Sequence, residues 1–113
     1  MTQANRQLAA ILFTDIVGFT GMMQKDEVQA LETVKRFMRV MSQEVSSHSG
    51  KILNDYGDGC LCSFTSATQA VLCAESIQQH FRSEPPIPLR IGLHVGEIFF
   101  EENKALGDGV NVA

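Results

Sequence analysis

KILNDYGDGCLCSF, residues Lys51 to Phe64, holds two short apolar runs around a turn, and the turn sets Asp58 just ahead of the second run. Asp is depleted in strands and costly against an apolar face, so strand propensity alone does not explain a carboxylate there. The stretch reads as a β-hairpin, with strands near Lys51 to Asn54 and Gly59 to Phe64 joined through Asp55-Tyr56-Gly57-Asp58. In its second strand Cys60, Cys62 and Phe64 share one face.

Upstream of the hairpin, Val28, Leu31, Val34, Met38, Met41 and Val45 recur on one helical stripe, with Asp26 as N-cap or first-turn acid. Ser46-Ser47-His48-Ser49-Gly50 ends this helix, with Gly50 available for a left-handed C-cap. Further upstream, Leu8 to Phe13 (LAAILF) fits a buried strand that ends at Thr14-Asp15. Downstream, Thr65 or Ser66 can cap a helix carrying Ala67, Ala70, Val71, Ala74, Ile77 and Phe81, which stops before Pro85-Pro86. Leu89, Ile91, Leu93 and Val95 then alternate with Arg90, Gly92, His94 and Gly96 as a half-buried strand, and Ile98-Phe99-Phe100 continues it or pairs with it. The order strand, helix, hairpin, helix, strand predicts an α+β layered sheet. Val110-Asn111-Val112-Ala113 opens a further element where the sequence stops, which predicts a truncated domain.

A chain of 113 residues is one domain at most. Its 44% apolar and 19% charged content is that of a globular protein, and a net charge of -4 gives no basic footprint, so nucleic acid is not the expected partner. The N-terminus MTQANRQ has no apolar signal core, and no apolar run approaches the roughly 20 residues of a membrane span, so the expected location is cytoplasmic. The three cysteines read as free core thiols, since Cys60-x-Cys62 lacks the second ligand pair of a zinc site. His94 stands on the polar side of its strand, His48 and His80 read as helix-surface residues, and Met22, Met23, Met38 and Met41 read as core or interface packing.

Asp15 closes the first strand and Asp58 sits at the hairpin turn, so two carboxylates from different elements can converge at one sheet edge. Paired carboxylates suit hard cations such as Mg²⁺ or Mn²⁺, which take oxygen ligands and are completed by water and substrate phosphates. Ile16-Val17-Gly18-Phe19-Thr20 has the composition of a tight turn opening a helix, whose backbone N–H groups can receive phosphate oxygens.

Four segments in order give the chain a resemblance to the catalytic domain of class III adenylate and guanylate cyclases. They are LFTDIVGFT at Leu12 to Thr20, YGDG at Tyr56 to Gly59, RIGLHVGEI at Arg90 to Ile98 and GDGVNVA at Gly107 to Ala113. The likeness covers about Leu8 to Ala113, roughly the first two thirds of the family's domain. It implies a leader over residues 1–7 followed by a truncated catalytic domain over 8–113. It also implies a ferredoxin-like nucleotide cyclase fold, an antiparallel-rich sheet with helices packed on one face. Asp15 and Asp58 match the family's metal-binding aspartates, and the Ile16 carbonyl matches its backbone ligand, for two Mg²⁺ or Mn²⁺ ions. Val17, Gly18, Phe19 and Thr20 match the segment whose amides meet the triphosphate, and Asn111 the asparagine that orients the ribose. The implied reaction converts ATP or GTP to a 3′,5′-cyclic nucleotide and pyrophosphate at a head-to-tail homodimer interface.

The sequence departs from the family at three points. The base-reading lysine, four residues before the second metal aspartate, is Asn54 here. Its aspartate or threonine partner, seven residues before the matched asparagine, falls on Lys104, unless a shifted loop offers Glu102 or Asn103 instead. Asn54 both donates and accepts hydrogen bonds whereas Lys104 only donates, so the choice between ATP and GTP stays open. The transition-state arginine would lie four residues beyond Asn111, past Ala113, so these residues alone are expected to be inactive or nearly so, within a parent carrying any sensing domain C-terminal to Ala113. Two alternatives remain: a catalytically silent pseudo-cyclase serving as a dimerisation or nucleotide-binding module, and another two-metal nucleotidyl transferase of similar sheet order.

Overall fold

The computed structural model describes the backbone of residues 5–83, 85–101 and 104–106, and the side chains of residues 8–83 and 85–97. The elements are β1 (Asn5–Ile16), α1 (Phe19–Lys25), α2 (Glu27–Ser47), β2 (Gly50–Asp55), β3 (Gly59–Phe64), α3 (Ala67–Arg82), β4 (Leu89–Glu101) and β5 (Lys104–Leu106). They form one antiparallel sheet in the order β2-β3-β1-β4-β5, with β1 central. This is the α+β, ferredoxin-like arrangement expected from the sequence, with a fifth strand on the β4 edge. β1 runs beyond the LAAILF core in both directions, starting at Asn5, inside the expected leader.

The helices cover one sheet face. Ala10, Leu12 and Ile16 of β1 and Cys60, Cys62 and Phe64 of β3 pack there against Phe37, Met41 and Val45 of α2 and Cys73, Ile77 and Phe81 of α3. Full burial of each large apolar side chain is worth ~1.5–3 kcal/mol, so this layer dominates the stability. On the opposite face Ala9, Ile11 and Leu61 form a smaller cluster with Phe13 and Leu53, with no helix against it among the described residues.

The local signals behave as their chemistry predicts, with three corrections. Asp26 is extended and breaks the helical run, ending α1 and capping α2 by accepting from the Gln29 N–H at 3.1 Å. Ser66 caps α3 in the same way through the Gln69 N–H at 3.2 Å. The first correction concerns α2, where the buried stripe is Ala30, Phe37, Val40, Met41 and Val45, while Val28 is 74% exposed. The helix carries two overlapping apolar stripes, and the one containing the large Phe37 ring wins the core. Secondly, Ser49, with φ 59°, takes the left-handed position expected of Gly50. Gly50 instead opens β2, where an added Cβ would lie 2.4 Å from the Phe64 ring. Thirdly, His48 and His80 both approach the Glu44 carboxylate, at 3.8 and 3.4 Å, and the Ser76 hydroxyl donates to it at 2.6 Å. His48 is therefore largely covered at the junction of α2 and α3.

Candidate active site

The C-terminal end of β1 meets the N-terminal ends of β3 and β4 at one end of the sheet. Asp15 stands opposite Gly59 on β3 and Arg90 on β4. The hairpin closes tightly: the Tyr56 N–H donates to the Gly59 carbonyl at 2.9 Å, leaving Gly57-Asp58 as a two-residue loop. Gly57 has φ 84°, the positive value such a loop demands at its first position, and its N–H is held by Asp55 Oδ1 at 2.8 Å. Gly59 is needed for a different reason. A Cβ there would lie 2.9 Å from the Thr14 carbonyl oxygen and 3.1 Å from the Asp15 Cβ, so glycine lets β3 press against β1.

The loop is then pinned to the first strand. The Ile16 N–H donates to the Asp58 carbonyl at 2.8 Å. Because the N–H and C=O of a strand residue point to the same edge, the Ile16 carbonyl is turned toward the Asp58 loop as well. Asp15, Asp58, Tyr56 and Arg90 line one cavity of about 660 Å³, together with Thr14, whose buried hydroxyl has no hydrogen-bond partner. Both expected carboxylates therefore face one space.

Arg90 is the site residue that reading the sequence missed. Its Nη2 donates to Asp15 Oδ2 at 2.8 Å and its Nε to Oδ1 at 3.2 Å, a two-pronged ion pair across β1 and β4. The hydrogen bond that Arg90 donates to Asp15, and then the Asp15 charge, hold the guanidinium above its already high ordinary pKa. The available signal was strand register: once β1 and β4 pair antiparallel with Leu12 opposite Leu93, Arg90 falls opposite Asp15.

The segment expected to face phosphate is only partly free. The Val17 N–H donates to the Pro88 carbonyl at 2.9 Å and so is already used. Gly18, with φ 74°, precedes α1, and Phe19 and Thr20 lie in its first turn, where N–H groups have no partner within the helix. A register shift at Leu53 brings Asn54 opposite Leu61, whose side chain belongs to the helix-free face. Asn54 thus stands on the face that carries Asp15, and Lys104 lies on β5, at the far edge of the sheet from β2. Those two residues are not brought together, being four strand spacings of about 4.8 Å apart. His94 shares the open face, but four residues along β4 from Arg90, on the order of 13 Å away. Asn111, Glu102 and Asn103 lie outside the described residues.

The donors fit a hard cation that is completed from outside the protein. Two carboxylates and a carbonyl are all oxygen, and the guanidinium already seated on Asp15 shows that this position favours positive charge. Among the described residues no group of three or more His, Cys, Asp or Glu is placed to hold a metal ion. A self-contained zinc or calcium cage is not built from the described residues, whereas Mg²⁺ or Mn²⁺ commonly takes one or two carboxylates plus water and phosphate. The cysteines contribute no ligand: all three are buried and free, and the hydrogen bond with Cys60, together with burial, pushes the Cys62 thiol up.

Comparison with known proteins agrees with this fold. No protein-family model matches the chain. A protein assigned as adenylate cyclase 3 in Rhizobium meliloti is 38% identical over 116 residues, covering 96% of this chain, which spans only 20% of that relative's length. The crystal structure of an adenylate/guanylate cyclase/hydrolase from Silicibacter pomeroyi superimposes with TM-score 0.85 at 34% identity, covering 96% of this chain and 68% of that one. The monomeric guanylyl cyclase domain of the RhoGC fusion protein from Blastocladiella emersonii, at 20% identity and TM-score 0.86, shares the fold. By motif order, sheet topology and these two thirds of a solved relative, the chain belongs to the class III adenylate/guanylate cyclase family.

Proposed function

We propose that the chain is the metal-bearing portion of a nucleotide cyclase domain, whose parent converts ATP or GTP to a 3′,5′-cyclic nucleotide and pyrophosphate. The observation that carries this reading is the placement of Asp15 and Asp58 in one cavity, with the Ile16 N–H tying the Asp58 loop to the end of β1. In this reading Asp15, Asp58 and the Ile16 carbonyl hold two Mg²⁺ or Mn²⁺ ions, and the N–H groups of Gly18, Phe19 and Thr20 receive the triphosphate. When bound, the cations supply Lewis-acid activation of the ribose 3′-hydroxyl and neutralise charge on the phosphates. The protein's own part is positioning. The glycine-bearing turn fixes Asp58 without a flexible arm, and the strand pairing fixes Asp15, so the ligands are set before substrate arrives.

Asn54 is proposed to face the base and Asn111 the ribose, with the second half of the site supplied head to tail by another copy of the chain. Phe13 and Leu53, half-buried on the sheet face that no described helix covers, support that assembly by leaving some apolar surface there. Lys104 has no geometric argument for the same base as Asn54, since the two occupy opposite edges. A catalytically silent domain that dimerises or holds nucleotide is the second reading, favoured by Asn54 and Lys104 at the base-reading positions.

An assay of the full-length parent with ATP and with GTP, in Mn²⁺ and in Mg²⁺, tests the proposal. Cyclic product from one or both is expected, falling by roughly 100-fold or more in Asp58→Ala. Product that survives Asp58→Ala at the parental rate would refute the metal assignment, and no product under any condition supports the silent domain.

A further inference from the structure

Arg90 and a divalent cation draw on the same atoms. The guanidinium meets Asp15 with two of its N–H groups, one to each carboxylate oxygen, at 2.8 and 3.2 Å. A cation held by Asp15 needs at least one of those oxygens, and it places a double positive charge a few ångströms from the guanidinium. Such neighbours repel in proportion to charge and inversely to distance. Resting on the cation-site reading above, we propose that Arg90 is an internal stand-in for the cation: it occupies the Asp15 carboxylate in the ion's place and sets, by competition, the concentration of divalent ion at which the site fills.

Three features of the geometry support competition over simple support. The Asp15 backbone is already fixed by pairing on both sides, to Gly59 and to Arg90, so its carboxylate does not depend on Arg90 to reach the cavity. The Arg90 side chain is 74% exposed, so it can swing into water at little packing cost, whereas an arginine acting as a rigid brace would be enclosed. Arg90 also balances one of the two carboxylates that line the cavity, lowering the repulsion that Asp15 and Asp58 would otherwise exert on each other. Release of Arg90 and arrival of a cation are then one exchange of positive charge for positive charge. Among the described residues the Asp58 carboxylate has no ion-pair partner, whereas Asp15 has Arg90, so the two aspartates differ in how readily each yields to the ion.

Mn²⁺ titration of the chain, followed by the loss of the free-ion electron paramagnetic resonance signal, separates the possibilities without reference to catalysis. Arg90→Gln is expected to bind Mn²⁺ about three- to tenfold more tightly at low ionic strength, a modest gain because the pair is solvent-exposed. The gap should narrow as monovalent salt is raised toward 0.5 M, where screening shortens the reach of the guanidinium charge. Arg90→Lys, which keeps the charge and loses the fork, should fall between the two. Weaker or unchanged Mn²⁺ binding in Arg90→Gln would overturn the stand-in role while leaving the cation site intact. Absence of Mn²⁺ binding in every variant would overturn the cation site itself, and the stand-in role with it. Circular dichroism of each variant confirms that the fold is unchanged.

Discussion

Single residues in this chain carry meanings that their neighbours in sequence do not reveal. Gly57, Gly59 and Gly50 illustrate this: one supplies a positive φ, one lets two strands approach, and one leaves room for a ring. Gly50→Ala is therefore expected to destabilise the fold by about 1–3 kcal/mol, because its Cβ would press on the buried Phe64 ring 2.4 Å away. Urea unfolding measures this, and an unchanged midpoint would show that Phe64 shifts freely. Asp15 and Asp58 stand out in the sequence only as a pair, since an aspartate at a strand end or in a turn is common by itself and it is the joint resemblance of LFTDIVGFT and YGDG to a family that marks them. Arg90 does not stand out, although it lies inside a quoted motif. Its role depends on pairing across 75 positions, and the motif gives no register. The Val17 amide shows the converse: a plausible phosphate donor in sequence is already engaged by Pro88.

Elements were predicted well where one signal dominated, and less well where two competed. Both long helices begin at the caps that the sequence marks, and the hairpin lies where alternation and turn residues put it. The α2 stripe was misread because Val28 and Leu31 continue one helical period while Ala30 and Phe37 continue another, and only packing decides between them. The layer between α3 and β3 holds Cys60, Cys62 and Cys73, and burial, with the Glu44 charge and Cys60 after it, pushes the Cys73 thiol up to about 12 from 9.0. A raised thiol pKa favours the protonated form in the fold, so its stabilising contribution is complete below pH 9 and is lost as pH rises toward 12. Stability measured by denaturant unfolding should decline across that window, with a shallower slope in Cys73→Ala. A slope identical in the variant would show that the α3 layer admits solvent.

At the scale of the molecule, strand order is what turns two distant motifs into one site. With β1 between β3 and β4, the end of the first strand, the hairpin tip and the start of the fourth strand must coincide, and these carry Asp15, Asp58 and Arg90. The strand, helix, hairpin, helix, strand pattern predicts an α+β layered sheet and the family resemblance implies its ferredoxin-like form, but neither predicts the fifth strand or the placement of Lys104 at the far edge. Among the described residues the same order leaves one face without helices, which is where a second copy of the chain is proposed to complete the substrate site. The central claim is that Asp15 and Asp58 act as one oxygen-ligand set for cation and nucleotide. Mn²⁺ binding in the presence of a non-cyclising nucleoside triphosphate, compared between the wild-type chain, Asp15→Asn and Asp58→Asn, tests it most directly. The account predicts that either substitution weakens Mn²⁺ binding at least about tenfold, with the double variant little worse than the singles because the set is shared. Two single variants that each bind Mn²⁺ as tightly as wild type would contradict it.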